Sequence, residues 1–363
     1  MKILIAPDKF KGSLSAREVA ENIAMGLRDV LSNAKIDIVP VADGGEGTAE
    51  VICDALQGAW MKCKAHDPLG REIEARYAFV EPRKLAVMEM SEAAGMRRLR
   101  REEYDVDLAS TFGVGEMILD AARRGAREIV LGLGGSATND GGFGMARALG
   151  FRFFHDKKEL TGRTSDLSKL TRIERPRDLS LPKIVAAVDV KNPLLGENGA
   201  TRVFGPQKGA TEDKIDMLER SLTKLADVVA RDLKVDFRDE PGAGAAGGLG
   251  FGLMSFCGAA IRPGFDVVAE AAGLESKMKD VDLVITGEGS LDRQTLEGKA
   301  PAGVARLARK LGKRVFAIVG CASEDRQAGA IFDGVYELGG SIPEAPGLLR
   351  GRARQLAADH IVT

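Results

Sequence analysis

At 363 residues, with 44% hydrophobic and 29% charged residues and a formal net charge of -1, the chain is sized for two domains and composed like an ordinary water-soluble globular protein. The missing basic excess argues against a nucleic-acid partner, and the uncharged apolar stretch 251–261 is too short to cross a bilayer, so neither nucleic acid nor membrane is expected. Four widely spaced cysteines form no C-x-x-C pair and none of the three histidines sits in a polar glycine motif, which disfavours a disulfide framework, a zinc site and a histidine triad.

In chain order, KILIA (2–6) is a short apolar run of the kind a buried parallel strand uses, and it meets Asp8 too soon to serve as a secretion signal, so a cytoplasmic location is expected. SARE (15–18) then supplies a capping box for a helix reaching about Leu31. Residues 35–41 predict a second strand and 46–56 a second helix. Between 60 and 90 the pattern changes: 61–65, 72–80 and 85–90 read as short strands between Pro/Gly turns, which predicts antiparallel or mixed pairing. Helices are expected over 113–124, 142–149 and 212–232, with a glycine-rich one starting near Ala245, and strands over 129–133, 151–154 and 184–188. From Val281 the first style returns, with strands at 282–286, 314–319 and 334–338 and a helix at 302–311. The two chain ends together fit a flavodoxin/Rossmann-like parallel sheet of order 2-1-3-4-5, built from residues 1–60 and 281–363, with 61–280 inserted as a second α/β domain containing a mixed sheet. In such a sheet ligands bind beyond the carboxyl ends of the strands, where the first and third diverge.

The loops at the predicted strand ends carry acids among glycines. They are PDKFKGS (7–13), ADGGEGT (42–48) and GEGSLD (287–292) in the terminal segments, and GLGGSATNDGG (132–142), DVKNP (189–193) and FGPQKGAT (204–211) in the insert. GAGAAGGLG (242–250) adds a glycine-rich helix start suited to close backbone packing. No segment satisfies the Walker pattern. GLGGSA (132–137) fits G-x-G-x-x-A after a strand, with Asp156 near the spacing of a ribose-binding acid, which is the opening for an NAD-dependent oxidoreductase.

Asp140 argues against that reading, because a carboxylate at the helix start would repel a bare pyrophosphate. Mg2+ removes the conflict, since it is held by one or two carboxylates together with phosphate oxygens; the alternative for Asp140 is helix N-capping. Ser136, Thr138 and Asn139 offer donors to phosphoryl oxygens. Asp8, Asp43, Glu46, Asp189, Glu288 and Asp292, accompanied by Lys11, Lys208 and Lys299, suit phosphoryl transfer. In that reaction cations neutralise the migrating group and a carboxylate orients or deprotonates the attacking hydroxyl.

Seven segments in order, PDKFKGSLSA, VADGGEGT, GLGGSATNDGG, DVKNPLLGENGA, FGPQKGAT, GAGAAGG and TGEGSLDRQTLEGK, resemble the bacterial type I glycerate kinases across nearly the whole chain. The resemblance implies two α/β domains with the active site in the cleft between them, and transfer of the ATP γ-phosphate, with Mg2+, to the 2-hydroxyl of D-glycerate. It implies Asp189 as the base, Asp8 and Lys11 beside it as catalytic groups, and Asp43, Asn192 and Lys208 as glycerate-binding residues. Gly134, Gly135, Ser136, Thr138 and Asn139 are implied for the nucleotide phosphates, and Asp140, Glu288 and Asp292 for the metal. Asp8, Asp43 and Glu288 compete for either the base or the metal role. Transfer to the 3-hydroxyl, or to another small hydroxy acid, is the alternative. A homo-oligomer is left open.

Two departures from the family pattern stand out. Pro7-Asp8-Lys9 replaces Pro-Asp-Ser and puts a cation beside an expected site acid. Beyond Gly339, Pro343, Pro346 and Gly347 predict a short or displaced C-terminal helix.

Overall fold

Successive side chains of the strand Lys2–Ile5 point to opposite faces, and that alternation sets up both apolar layers of the terminal unit. Ile3 and Ile5 enter one layer with Val19, Ile23, Leu27, Leu349 and Leu356. Leu4 and Ala6 enter the other with Phe265, Leu274, Val284 and Val304. Wholly buried aliphatic side chains such as Ile23 and Leu27 contribute roughly 1.5–3 kcal/mol each. The computed structural model describes residues 1–291, 299–322, 329–339 and 344–361, and no helix among them is long and apolar enough to cross a membrane.

The terminal unit comprises Met1–Leu56 and Pro263–Thr363. Its five strands, Lys2–Ile5, Lys35–Ile38, Leu283–Leu291, Arg314–Ala322 and Gly334–Glu337, are all parallel and lie in the order 2-1-3-4-5. The helix Ala16–Arg28 starts in the expected capping box, with Ser15 N–H donating to Glu18 Oε2 at 2.8 Å and Glu18 N–H to Ser15 Oγ at 3.3 Å. Helices Gly264–Ala271 and Leu274–Lys279 belong to this unit, so the divisions fall after residues 56 and 262 and not at 60 and 280. The physical reason is burial: Phe265, Leu274 and Met278 join the same layer as Leu4 and Val284.

The C-terminal helix, Ala345–His360, is not short; it has 16 residues. Pro346 occupies its first turn, where an N–H has no intrahelical partner to lose. It crosses the first helix at Gly26, where a Cβ would lie 2.3 Å from the Arg350 carbonyl oxygen.

The inserted unit, Gln57–Arg262, is built on a six-stranded mixed sheet. Strands Ala260–Arg262, Lys183–Ala187, Glu128–Gly132 and Leu85–Glu89 run parallel, and Glu72–Val80 and Ala59–His66 complete it antiparallel. A three-stranded antiparallel sheet, Arg152–His155, Lys158–Glu159 and Arg172–Glu174, is a separate element. Asp156 lies in its tight turn at φ 51°, its N–H donating to Thr171 Oγ1 at 2.8 Å. An acid in that hairpin turn is not the ribose-binding carboxylate at a strand end that the dinucleotide alternative needs.

Gly26→Val is expected to destabilise the protein by on the order of 1–3 kcal/mol through overpacking, read as a lower thermal midpoint. An unchanged midpoint would contradict backbone contact between the first and last helices.

Candidate active site

In the terminal unit the strand order reverses between Lys2–Ile5 and Leu283–Leu291, and the loops leaving these strands turn apart. The ladder continues past the first strand: Ala6 N–H donates to the Ile285 carbonyl at 2.8 Å and Asp8 N–H to the Gly287 carbonyl at 2.8 Å. That continuation carries Asp8 to the edge of a cavity of about 600 Å³, lined also by Lys11, Asp43, Glu288 and Lys299. Four of the expected site residues, Asp8, Lys11, Asp43 and Glu288, therefore meet around one space. Asp292 lies outside the described residues.

Asp8 is only 7% exposed. Burial, then the negative charge of Asp43, drives its carboxyl well above the usual carboxylate range; the Lys9 backbone N–H at 2.6 Å and the Lys9 charge oppose this, and Glu288 adds to it. Lys9 itself is engaged, its ammonium donating to the Glu46 carbonyl oxygen and lying 3.9 Å from the Glu46 carboxylate. The extra cation is thus answered within the same wall. Asp43 accepts from Gly45 N–H at 3.0 Å, and its carbonyl lies so close to Gly264 that a Cβ there would sit 2.0 Å away. Lys299 Nζ is 3.6 Å from Glu288 Oε2.

In the inserted unit the central parallel strands end in step, Glu89 opposite Gly132 and Gly132 opposite Ala187. Glu89, buried at its strand end, was not singled out by motif; an acid between Met88 and Met90 at the end of an apolar run was the available signal. Asp189 follows its strand half-buried. The 132–142 loop is pinned on one side by Met96 N–H to the Gly135 carbonyl and Ala137 N–H to the Ala94 carbonyl, both 2.9 Å.

Asp140 is 1% exposed, and its carboxylate is fully engaged. Thr111 N–H donates at 2.9 Å, Thr111 Oγ1 at 2.9–3.1 Å, Gly142 N–H at 3.1 Å and Gly144 N–H at 3.0 Å. Burial pushes this carboxyl upward against the pull of those donors. The expected metal role for Asp140 does not fit, because a cation would have to displace the donors that hold the turn. The capping alternative describes it better: this carboxylate braces the start of helix Phe143–Ala148. Thr111, distant in sequence, carried no local signal.

The glycine-rich segment explains its composition by contact with this loop. Ala246, Gly247 and Gly248 take φ of 54°, 68° and 85° within helix Ala245–Cys257. A Cβ on Gly247 would lie 2.0 Å from the Thr138 carbonyl oxygen, and Gly141 N–H donates to the Gly247 carbonyl at 3.0 Å. Thr138 and Asn139 are wholly buried, with Asn139 Nδ2 donating to Thr201 Oγ1 at 2.9 Å and its Oδ1 without a partner among the described residues. Asn192 closes its own loop, Nδ2 donating to the Asn198 carbonyl at 2.8 Å while its carbonyl accepts from Gly244 N–H at 2.9 Å. Lys208, expected on the substrate, is 3% exposed and donates to the Thr138 carbonyl at 2.7 Å, beneath the loop.

Burial lowers the Lys208 ammonium from an ordinary 10.5 to about 7, with the Asp140 charge opposing. Between those values the unfolded chain binds the extra proton, so stability rises with pH; below about 7 both states are charged and the full penalty is present. In denaturant unfolding, the stability of Lys208→Met relative to wild type should therefore fall by about 1.4 kcal/mol per pH unit from pH 7 to 10 and level off below. A difference independent of pH across that range would contradict the depressed lysine.

Residues 3–358 match the model of the glycerate kinase family. The chain is 44% identical over 331 residues to a glycerate kinase of Halalkalibacterium halodurans, covering 90% of this chain and 87% of that protein. It is 45% identical over 330 residues to glycerate 2-kinase of Escherichia coli strain K12, covering 90% and 86%. A crystal structure of a Salmonella typhimurium LT2 chain assigned to glycerate kinase 2 superposes with a TM-score of 0.88 at 40% identity, covering 99% of this chain and 98% of that one. With a family match along almost its whole length and relatives at these identities, the chain belongs to the glycerate kinase family.

Proposed function

We propose that this chain transfers the γ-phosphoryl group of ATP to the 2-hydroxyl of D-glycerate, releasing ADP and 2-phosphoglycerate. The observation that carries the reading is the gathering of Asp8, Asp43 and Glu288 with Lys11 and Lys299 around one cavity at a strand switch point. Phosphoryl transfer asks for that alternation, since the chemistry is mostly positioning and charge neutralisation. Membership of a kinase family supports ATP as donor, and the name glycerate 2-kinase of the Escherichia coli relative supports the acceptor and its 2-hydroxyl.

Among the described residues no three His, Cys, Asp or Glu side chains form a preformed metal cage. Mg2+ does not require one, because it binds through one or two carboxylates and completes its shell with water and phosphate oxygens. The hard oxygen donors of Asp8 and Glu288 fit that demand, and they would hold the ion, which supplies charge neutralisation to the phosphates. Asp189, half-buried at the end of its strand, takes the proton of the attacking hydroxyl in this reading. Thr138, Asn139, Asn192 and Lys208 shape the loops from within. A kinase drawing on the cellular ATP pool works in the cytoplasm.

The test is ADP release that depends on D-glycerate and stops on chelation of Mg2+. ADP release indifferent to glycerate would remove glycerate as the acceptor. Asp189→Asn is expected to keep its thermal midpoint and nucleotide affinity while kcat falls by about 10²-fold or more. Near-normal turnover would exclude Asp189 as the base.

A further inference from the structure

We propose that the switch-point cavity of the terminal unit is the nucleotide site, taking adenosine against its apolar wall and the phosphates against its lysines. The inference rests on the ATP-dependent reading above and says which part of the chain holds the nucleotide. It departs from the motif-based expectation, which gave the phosphates to the 132–142 loop.

Size is the first argument. A space of about 600 Å³ is far more than a three-carbon acid fills and falls within the range of roughly 300–1,000 Å³ found for larger ligands. Lining chemistry is the second. Leu338, Ala345 and Leu348 form an apolar side, while Lys11 and Lys299 bring positive charge near Asp8 and Glu288. A nucleoside triphosphate with its cation needs both halves, an apolar surface for the base and mixed charge for the phosphates.

Strand length is the third argument. The first segment's ladder with its neighbour reaches Asp8 N–H on the Gly287 carbonyl, whereas Leu283–Leu291 and Arg314–Ala322 stay paired out to Leu291 opposite Ala322. The overhang makes a floor beyond the sheet edge, and Gly289 and Gly320 keep it low. A Cβ at Gly320 would lie 2.4 Å from the Gly289 carbonyl oxygen, so the two strands meet there without side chains between them. Ser290 and Cys321, opposite one another, line the same cavity.

The inserted unit's loop contrasts with this in where its side chains go. The side chains of Ser136, Thr138 and Asn139 are turned into the fold, 6%, 0% and 0% exposed. The lysine nearest the loop, Lys208, is buried with its ammonium on the Thr138 carbonyl.

The experiment is calorimetric titration of the full chain with a non-hydrolysable ATP analogue and Mg2+, alongside the KM for D-glycerate. Leu348→Trp, which fills the apolar side, should weaken the analogue at least tenfold while the glycerate KM stays within threefold, and Lys11→Met, at an exposed position, should weaken the analogue at least tenfold. Ser136→Ala should bind it like wild type. Wild-type binding in Leu348→Trp and Lys11→Met, or loss of binding in Ser136→Ala, would overturn the assignment. Lys11→Met keeps the test intact should Leu348→Trp fold poorly. A wild-type chain that binds the analogue in this way but releases no glycerate-dependent ADP would sink the glycerate reading and leave the nucleotide site standing. Turnover of glycerate with unchanged analogue binding in both cavity variants would do the reverse.

Discussion

A carboxylate removed from water must be met by donors, and in the inserted unit that requirement falls on Asp140. Its partners are Thr111, 29 residues upstream, and the amides of Gly142 and Gly144 at the start of the next helix. Through these bonds the 132–142 loop is tied to the helix Phe112–Arg123 on one side and to Phe143–Ala148 on the other. Three further contacts are placed relative to the loop so fixed. The Thr138 carbonyl receives Lys208, Asn139 reaches Thr201, and Gly247 and Gly248 of the left-handed turn lie against Thr138 and Gly141 at a distance only glycine permits.

The terminal unit handles its buried acids the other way. Asp140 is surrounded by donors, whereas Asp8 has other carboxylates near it, and burial together with Asp43 lifts its carboxyl well out of the ordinary range. Two acids of similar burial thus differ in kind. One is spent on holding a turn, and the other meets the Lys9 backbone N–H on one side and the negative charges of Asp43 and Glu288 on the other. In the proposed reading, a phosphate-bound cation and the cavity lysines would offset that negative charge.

Much of this was readable from residue order. Short apolar runs alternating with helical periods at both chain ends yield the order 2-1-3-4-5, and once the strands are parallel their acid-bearing loops must emerge at one edge, which brings Asp8, Asp43 and Glu288 together. What stayed hidden depends on contacts remote in sequence. Asp140 looks like a ligand until Thr111 is found beside it, and Lys208 looks like a substrate-binding cation until its burial is known. The return of the β-α rhythm at Val281 is a local signal and leaves residues 263–280 in the insert, whereas the packing of Phe265 on Gly303 is not readable locally. The prolines near the C-terminus were misleading for a simpler reason: Pro346 falls at the one stage of a helix that tolerates it.

The most direct test of the central claim is regiochemical. The full chain is incubated with ATP, Mg2+ and D-glycerate, and the product is read with enolase in the absence of phosphoglycerate mutase, so that only 2-phosphoglycerate yields phosphoenolpyruvate. Phosphoenolpyruvate is expected to form in step with ADP. ADP accumulating without phosphoenolpyruvate would contradict transfer to the 2-hydroxyl.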